Sequence, residues 1–515
     1  KPMRRLTIAL CALMLGTAVC GAKAGTSAAV EAARDYRHAH EAEILAGFAE
    51  FLRLPNVAAD LADMQRNARY MQQQFGERGV ELELLEIEGV PPLVTGRIDV
   101  PGATRTLGIY VHYDGQPVDE SRWTHGPWEP TLYTAALHEG GQARPFPQPG
   151  ERIDPEARLY ARSAGDDKAP IIALLAALDA LDAAGLAPTS NIVLLFDGEE
   201  ERGSPHLGEY FNRYRDRFDD VDLWLFCDGP VHQSRRPQVV FGVRGVTGLE
   251  VTVYGAGRPL HSGHYGNWAP VPGQMLANLL ASMKSVDGEV LIEGFYDTVE
   301  PVSAGEQAAI DALPDIDGQM KEELGLAWTE GGGERLERRL LLPSLTIRGL
   351  ASGNVGDKTR NIIPSTATAA LGVRLVKGND PEHMLDLVED HVRTQGYYIV
   401  REAPTKETLR QHEKVARVTR GVGYPASRTP MDHPLANRVI TAAGQASGET
   451  VLRVPTLGGT LPVFLFEQVL KTPAIIVPIA NHDNNQHAAD ENIRLANLWY
   501  GIDLYAALLT MPGVD

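Results

Sequence analysis

Four short apolar runs rich in β-branched residues punctuate the chain: Leu107–Val111, Asn191–Phe196, Val221–Phe226 and Pro473–Ile479. Polar residues scarcely alternate within them, which predicts strands covered on both faces. Helix-patterned text lies around them, over Ala28–Phe51, Asp60–Gly79, Ala169–Ala184 and Ile493–Leu509, with Gly79 as a C-terminal stop. Continuous apolar strands alternating with amphipathic helices are the mark of an α/β fold. From Phe241 to about Pro425 the text changes to strand, helix, strand. Leu249-Glu250-Val251-Thr252-Val253 alternates, Ala367–Val376 reads as a strand and Pro381–Gln395 as a helix. The pattern therefore predicts an α/β domain, residues 25–240 and 426–515, interrupted by an inserted α+β domain over 241–425. Thr131–Arg152, rich in Gly, Pro and Gln, reads as a surface-loop insertion.

The first residues carry a different pattern. Lys1, Arg4 and Arg5 precede an apolar run from Leu6 to Cys20, followed by Ala22-Lys23-Ala24. A charged stretch, an apolar stretch and an A-x-A site predict a secretory signal peptide over 1–24, cleaved after Ala24, and an exported, periplasmic or secreted protein. The run is shorter than the ~20 residues of a membrane span. Cleavage removes Cys11 and Cys20 and leaves Cys227 alone, so no internal disulfide is expected. No later segment reads as a membrane span. Lys and Arg total 48 against 67 Asp and Glu, a net charge of −19, which argues against a nucleic-acid surface.

Each apolar run ends in residues that bind metals or move protons. The first leads to His112 and Asp114, the second to Asp197, Glu199, Glu200 and Glu201, the third to Asp228, and the fourth to His482, Asp483 and His487. Ligands bind beyond the C-terminal ends of strands in open α/β sheets, so these ends are expected to converge. Imidazole and carboxylate without thiolate suit zinc in an open site. Two metals about 3.5–4 Å apart need a shared bridge. Cys227 reads as a small buried hydrophobe. Gly356-Asp357-Lys358-Thr359 departs from a P-loop end, because Asp357 stands where Gly belongs, and Ala416 breaks an H-E-x-x-H begun by His412-Glu413. No G-x-S-x-G is present.

On these motifs the chain resembles the co-catalytic zinc hydrolases that include carnosinase-type dipeptidases, glutamate carboxypeptidase, aminoacylase and succinyl-diaminopimelate desuccinylase. The motifs are His112-Tyr113-Asp114, Asp166-Asp167-Lys168, Glu200-Glu201-Arg202-Gly203-Ser204, Asp228, and His487 with Glu491. The resemblance implies a mixed-sheet catalytic domain sandwiched by helices, with the insert as a lid and dimerisation domain. It implies two Zn²⁺ ions, with Co²⁺ or Mn²⁺ as substitutes: one held by His112, Asp166 and Asp228, the other by Asp166, Glu201 and His487. Asp166 would bridge, joined to Asp167 by a cis peptide. Glu200 would be the general base, Asp114 would orient His112, and His261 would stabilise the oxyanion, often across a dimer interface. Arg374, Asn361, Gly459 and Thr460 would grip a substrate carboxylate. The implied reaction is hydrolysis of an amide next to a free carboxylate, by a homodimeric dipeptidase or carboxypeptidase. An N-acyl amino acid amidohydrolase is the alternative, and a silent binding protein on the same fold is disfavoured by the complete ligand set.

Overall fold

The computed structural model describes residues 26–512; the expected signal peptide lies outside the described residues. The four apolar runs form strands Thr106–His112, Asn191–Asp197, Leu223–Phe226 and Ala474–Ile476. They lie side by side and parallel at the centre of an eight-stranded sheet, in the order 191, 106, 223, 474 along the sheet. Antiparallel pairs flank them: Leu93–Ile98 joins the Asn191 strand, and Gln238–Val240 meets the Ala474 strand. The sheet is therefore mixed.

Alternate residues of each strand feed two separate cores. Leu107, Ile109 and Val111 face helices Ala28–Leu52, Lys168–Ala183, Ala436–Ser447 and Leu495–Leu509. Tyr110, Trp224 and Phe226 face the other way, where the Phe466 ring meets all three and Phe211 nearly edge-on. Such aromatic pairs add about 0.5–1.5 kcal/mol each beyond their buried area. Side-chain caps set the helix starts: Ser27 accepts from Val30 N and Asp60 from Ala62 N and Asp63 N.

The inserted α+β domain has its own five-stranded sheet, in the order Ser344–Ala351, Thr366–Leu375, Gly245–Tyr254, Val415–Arg420, Tyr398–Val400. Helices Pro272–Met283 and Pro381–Thr394 cover one face over a core of Val251, Leu371, Leu385 and Val388. Both helices begin with Pro in the first turn, where its missing N–H costs nothing.

Three local expectations are corrected. Thr131–Arg152 is not only a loop: Thr131–Tyr133 and Ala143–Arg144 join Arg158–Tyr160 and Asn492–Arg494 in a four-stranded sheet. The last helix starts at Leu495, not Ile493, because Asn492–Arg494 is drawn into that sheet. The fourth core strand ends at Ile476; Val477 N still donates to Phe226 O, and Pro478 after it has no N–H to extend the ladder.

Candidate metal centre and active site

His112 ends its strand with a fully buried imidazole. Its Nε2 lies 2.8 Å from Asp166 Oδ1 and 3.8 Å from Asp228 Oδ2. Its Nδ1 lies 3.2 Å from Asp114 Oδ1, so Asp114 fixes the ring's orientation. The Asp114 carboxylate also accepts the backbone N–H groups of Glu200 and Glu201, at 3.1 and 3.2 Å. One buried acid thus locks the histidine and the Glu200–Arg202 turn together.

Asp166 is held from behind. Glu491 accepts backbone N–H groups from Ser163, Gly165 and Asp166 at 3.0, 3.0 and 2.9 Å, and pairs with Arg162 at 2.6 Å. A Cβ on Gly165 would meet Asn492 O at 3.1 Å and Asn484 Nδ2 at 3.2 Å, tighter than an ordinary contact, so a side chain there would push on both neighbours. The Asp166–Asp167 peptide is cis, as the resemblance implied. Lys168 is buried, and its Nζ donates to the carbonyls of Phe51 and Leu54, pinning its helix to the end of the first one.

The last ligand candidate comes from the far end of the chain. His487, at φ 64°, holds Nε2 3.1 Å from both Asp166 Oδ2 and Glu201 Oε2. Two groups of possible ligand atoms result: His112, Asp166 and Asp228, and Asp166, Glu201 and His487. Within each group every atom lies within 4.8 Å of the others. Asp166 belongs to both.

The electrostatics fit a cation. Asp228 Oδ2 is buried with no hydrogen-bond partner among the described residues. Burial, reinforced by Asp166 and Glu201, pushes the Asp228 carboxyl up to about 7. Burial likewise raises Glu200 well above the ordinary carboxyl range, with Asp228, Glu201 and Asp166 adding to it. Asp166 moves the other way: burial opposes ionisation, but hydrogen bonds from His112 and His487 outweigh it. Anions crowded without a fixed cation leave room for a metal. The all-imidazole and carboxylate donor set suits zinc.

A model of peptidase family M20/M25/M40 matches residues 108–511. This chain belongs to that family. The family's metal chemistry falls on the buried His112, Asp166 and Asp228 group, and the chain is a metallopeptidase. The Cys-Gly metallodipeptidase dug1 of Schizosaccharomyces pombe is 24% identical over 470 residues, covering 88% of this chain and 92% of that protein. The human Beta-Ala-His dipeptidase is 24% identical over 429 residues, 81% of this chain and 77% of that protein. The M20 family metallo-carboxypeptidase Sso-CP2 of Sulfolobus solfataricus superposes with a TM-score of 0.73 at 26% identity, covering 91% of this chain and 99% of that one. The M20 fold accounts for a catalytic domain interrupted by an insert.

Outside the ligand cluster the picture divides. Arg374 Nη1 donates to Thr460 Oγ1 at 2.5 Å, so two of the expected carboxylate contacts meet. Gly459 precedes Thr460 in the chain, and its carbonyl accepts from Arg244 N at 3.2 Å. Asn361 and His261 do not join the cluster. His261 is exposed, its Nδ1 accepts from Gly263 N at 3.1 Å, and its ring lies 4.4 Å from that of His264. Ser262 N donates to Asn361 O, so those two expected residues neighbour each other in the insert. His482 and Asp483 are not ligands in these groups; Asp483 is paired with Arg158 and Arg494 instead. Cys227 is buried and free.

Two residues escaped the sequence reading. The Tyr424 ring stacks on Phe464 and lies about one van der Waals contact from where a Gly203 Cβ would be, at 3.9 Å. The charges of Glu200 and Arg374 both act on its phenol, which burial raises. Tyr424 therefore connects the Glu200 turn to the Arg374 corner. Arg244 is the second, buried beside that corner. Neither sits in a motif; the only signal was Gly242-Val243-Arg244-Gly245, a cation at the start of an apolar strand.

Proposed function

We propose that this chain is an exported exopeptidase that hydrolyses an amide bond next to a free carboxylate, as a dipeptidase or carboxypeptidase. The single observation that carries the reading is Asp166, shared by two adjoining groups of ligand atoms beside Glu200. His112, Asp166 and Asp228 would hold one Zn²⁺, and Asp166, Glu201 and His487 a second, with Co²⁺ or Mn²⁺ as substitutes. Bound there, the ions supply Lewis acidity that makes water a nucleophile near neutral pH. Glu200 takes the proton of that water and delivers it to the leaving amine. Asp114 keeps His112 and the Glu200 turn in register during both transfers. Arg374 and Thr460 receive the substrate carboxylate, a task suited to a planar guanidinium.

His261 would stabilise the oxyanion from the second subunit of a homodimer. Its exposure supports this, as does the exposed apolar side of the insert: Ile347 and Leu350 on the edge strand Ser344–Ala351, and Trp268 near His261. An uncovered edge of this kind is a docking surface. Sedimentation is expected to show a dimer, and His261→Ala to lower turnover without dissociating it. Sedimentation as a monomer only, or undiminished turnover of His261→Ala, removes the cross-subunit role.

The test of the whole reading is a panel on the zinc-loaded protein. Dipeptides are expected to be cleaved faster than N-acetyl amino acids with the same C-terminal residue. The reverse order selects the amidohydrolase alternative. A fully loaded protein that cleaves neither ends the proposal. Export is checked separately: the secreted or periplasmic protein should begin at Gly25, and an uncleaved N-terminus on it refutes the signal peptide.

A further inference from the structure

The two histidines of the ligand groups are held in different ways. His112 is buried, and Asp114 engages its Nδ1 at 3.2 Å. The His487 side chain is 51% exposed, and its Nε2 faces Asp166 and Glu201. Among the described residues its Nδ1 has no hydrogen-bond partner. Ligand histidines are usually oriented through the second ring nitrogen. The place of the His487 ring is therefore set by its loop.

That loop is not held by packing. Residues 485–488 are exposed, and Asn485, His487 and Asp490 have φ of 57°, 64° and 58°, a left-handed region that L-residues seldom occupy. Hydrogen bonds shape it instead. Within the loop, Ala488 N donates to Asn485 O at 2.9 Å and Asn485 Nδ2 to Asp490 O at 3.0 Å. Gln486 Nε2 donates to Asp166 Oδ2 at 2.7 Å, but that is the oxygen His487 Nε2 also faces, so this tie lies inside the ligand group itself.

Thr124 provides a tie from outside it. Its N–H donates to Asp490 Oδ1 at 2.8 Å and its hydroxyl to Oδ2 at 2.7 Å, so one exposed residue occupies both oxygens of the carboxylate. Hydrogen bonds to an ionised acceptor are the stronger kind. The segment that carries Thr124 is fastened in turn to the arm that carries Asp166. Trp123 lies over the Arg162 guanidinium at 5.2 Å, and Pro127 O accepts from Arg162 N at 2.9 Å. Arg162 itself pairs with Glu491 at 2.6 Å. Residues 123–127 thus strap together the chain just before Asp166 and the chain just after His487.

We propose that Thr124 is a positioning residue: by holding Asp490 it sets His487 at the distance from Asp166 and Glu201 that a second ion needs. The inference rests on the two-ion reading above. Thr124 belongs to neither ligand group and acts only through the loop.

Thr124→Val keeps the shape of the side chain and removes the hydroxyl donor, whereas Thr124→Ser keeps the donor. Zinc titration calorimetry of the full chain against a competing chelator tests the proposal. The parent is expected to show two binding steps. Thr124→Val is expected to weaken one of them about tenfold, the low end for groups that orient a ligand from outside, and to leave the other within about twofold. Thr124→Ser is expected to keep both parental affinities. Hydrogen exchange over residues 484–491 of the zinc-free full chain is expected to be about tenfold faster in Thr124→Val than in the parent or in Thr124→Ser. Equal weakening of both steps, no weakening of either, unchanged exchange, or a Thr124→Ser protein as impaired as Thr124→Val overturns the proposal. A parent that takes up a single ion ends the two-ion reading, and the exchange comparison then decides whether Thr124 holds the loop. Two ions bound without cleavage of any dipeptide ends the peptidase reading and leaves the part played by Thr124 standing.

Discussion

Two buried clusters of charge in this molecule solve the same problem in opposite ways. In the insert, Glu389 is fully buried but meets three arginines: Arg401 at 2.6 Å, Arg420 at 2.7 Å and Arg393 at 2.9 Å. Hydrogen bonds from Arg401 and Arg420 overcome its burial and hold its carboxyl at about 2. In the catalytic domain, Asp228, Glu200, Glu201 and Asp166 crowd together with the imidazoles of His112 and His487 and the neutral amides of Gln116 and Gln486, and no arginine or lysine pairs with them among the described residues. There burial wins for Asp228 and Glu200, and both are pushed up. The first cluster carries its own counter-charge and is finished when the chain folds. The second is incomplete without something from outside. The catalytic domain also knows the first solution, since Glu491 has Arg162, and Asp483 has Arg158 and Arg494. Neither Asp166 nor Asp228 has an arginine partner among the described residues.

The contrast predicts that substitutions in the two clusters separate activity from stability. The largest effect is expected for Glu200→Gln, which should lower kcat by about 10²–10⁴-fold while metal content and melting temperature stay near those of the parent. Amide hydrolysis at the parental rate would break the proton-transfer assignment. Glu389→Ala is the mirror experiment. It should cost about 3 kcal/mol of stability, the low end for breaking a buried pair because the arginines are partly solvated, with kcat intact. Urea denaturation measures it.

Metal removal sharpens the difference next. Chelation should abolish hydrolysis and lower stability by about 2.7 kcal/mol relative to protein with metal at a hundredfold its Kd. Asp228→Asn should weaken metal binding in the loaded protein yet leave the metal-free protein at least as stable, since it removes an unpartnered buried anion. A metal-free melting temperature well below the parent's would show that Asp228 is satisfied by the protein alone.

The pH response is smaller and has a definite sign. Glu389 titrates near 2 in the folded chain, below the ordinary ~4.3 of an unfolded glutamate. Its stabilisation is therefore complete above about pH 4.3 and is lost as pH falls toward 2. Acid denaturation of Glu389→Gln should lack that component. The smallest effect is expected for Arg393→Ala, whose side chain is about half exposed and whose loss leaves Glu389 with Arg401 and Arg420; it should cost under about 1 kcal/mol.

The sequence carried much of the site because its elements are local. A strand end followed by His112-x-Asp114, or a Glu200-Glu201 pair before a glycine turn, is written in adjacent residues. The C-terminal ends of parallel strands share one rim of the sheet. Arg244 and Tyr424 were not legible for the converse reason. Each is an ordinary residue on an ordinary strand or loop until folding sets it against Arg374 or Gly203.

Sequence alone determined which side chains could bind a metal and which strands would deliver them, since ligand chemistry and hydrophobic period are properties of short segments. Only the tertiary structure decided that residues as far apart as 112 and 487 close on Asp166, that Asn492–Arg494 leaves its helix for a sheet, and that Glu389 receives arginines while Asp228 receives none. Charge compensation is a fact about distance in space, and distance along the chain does not encode it.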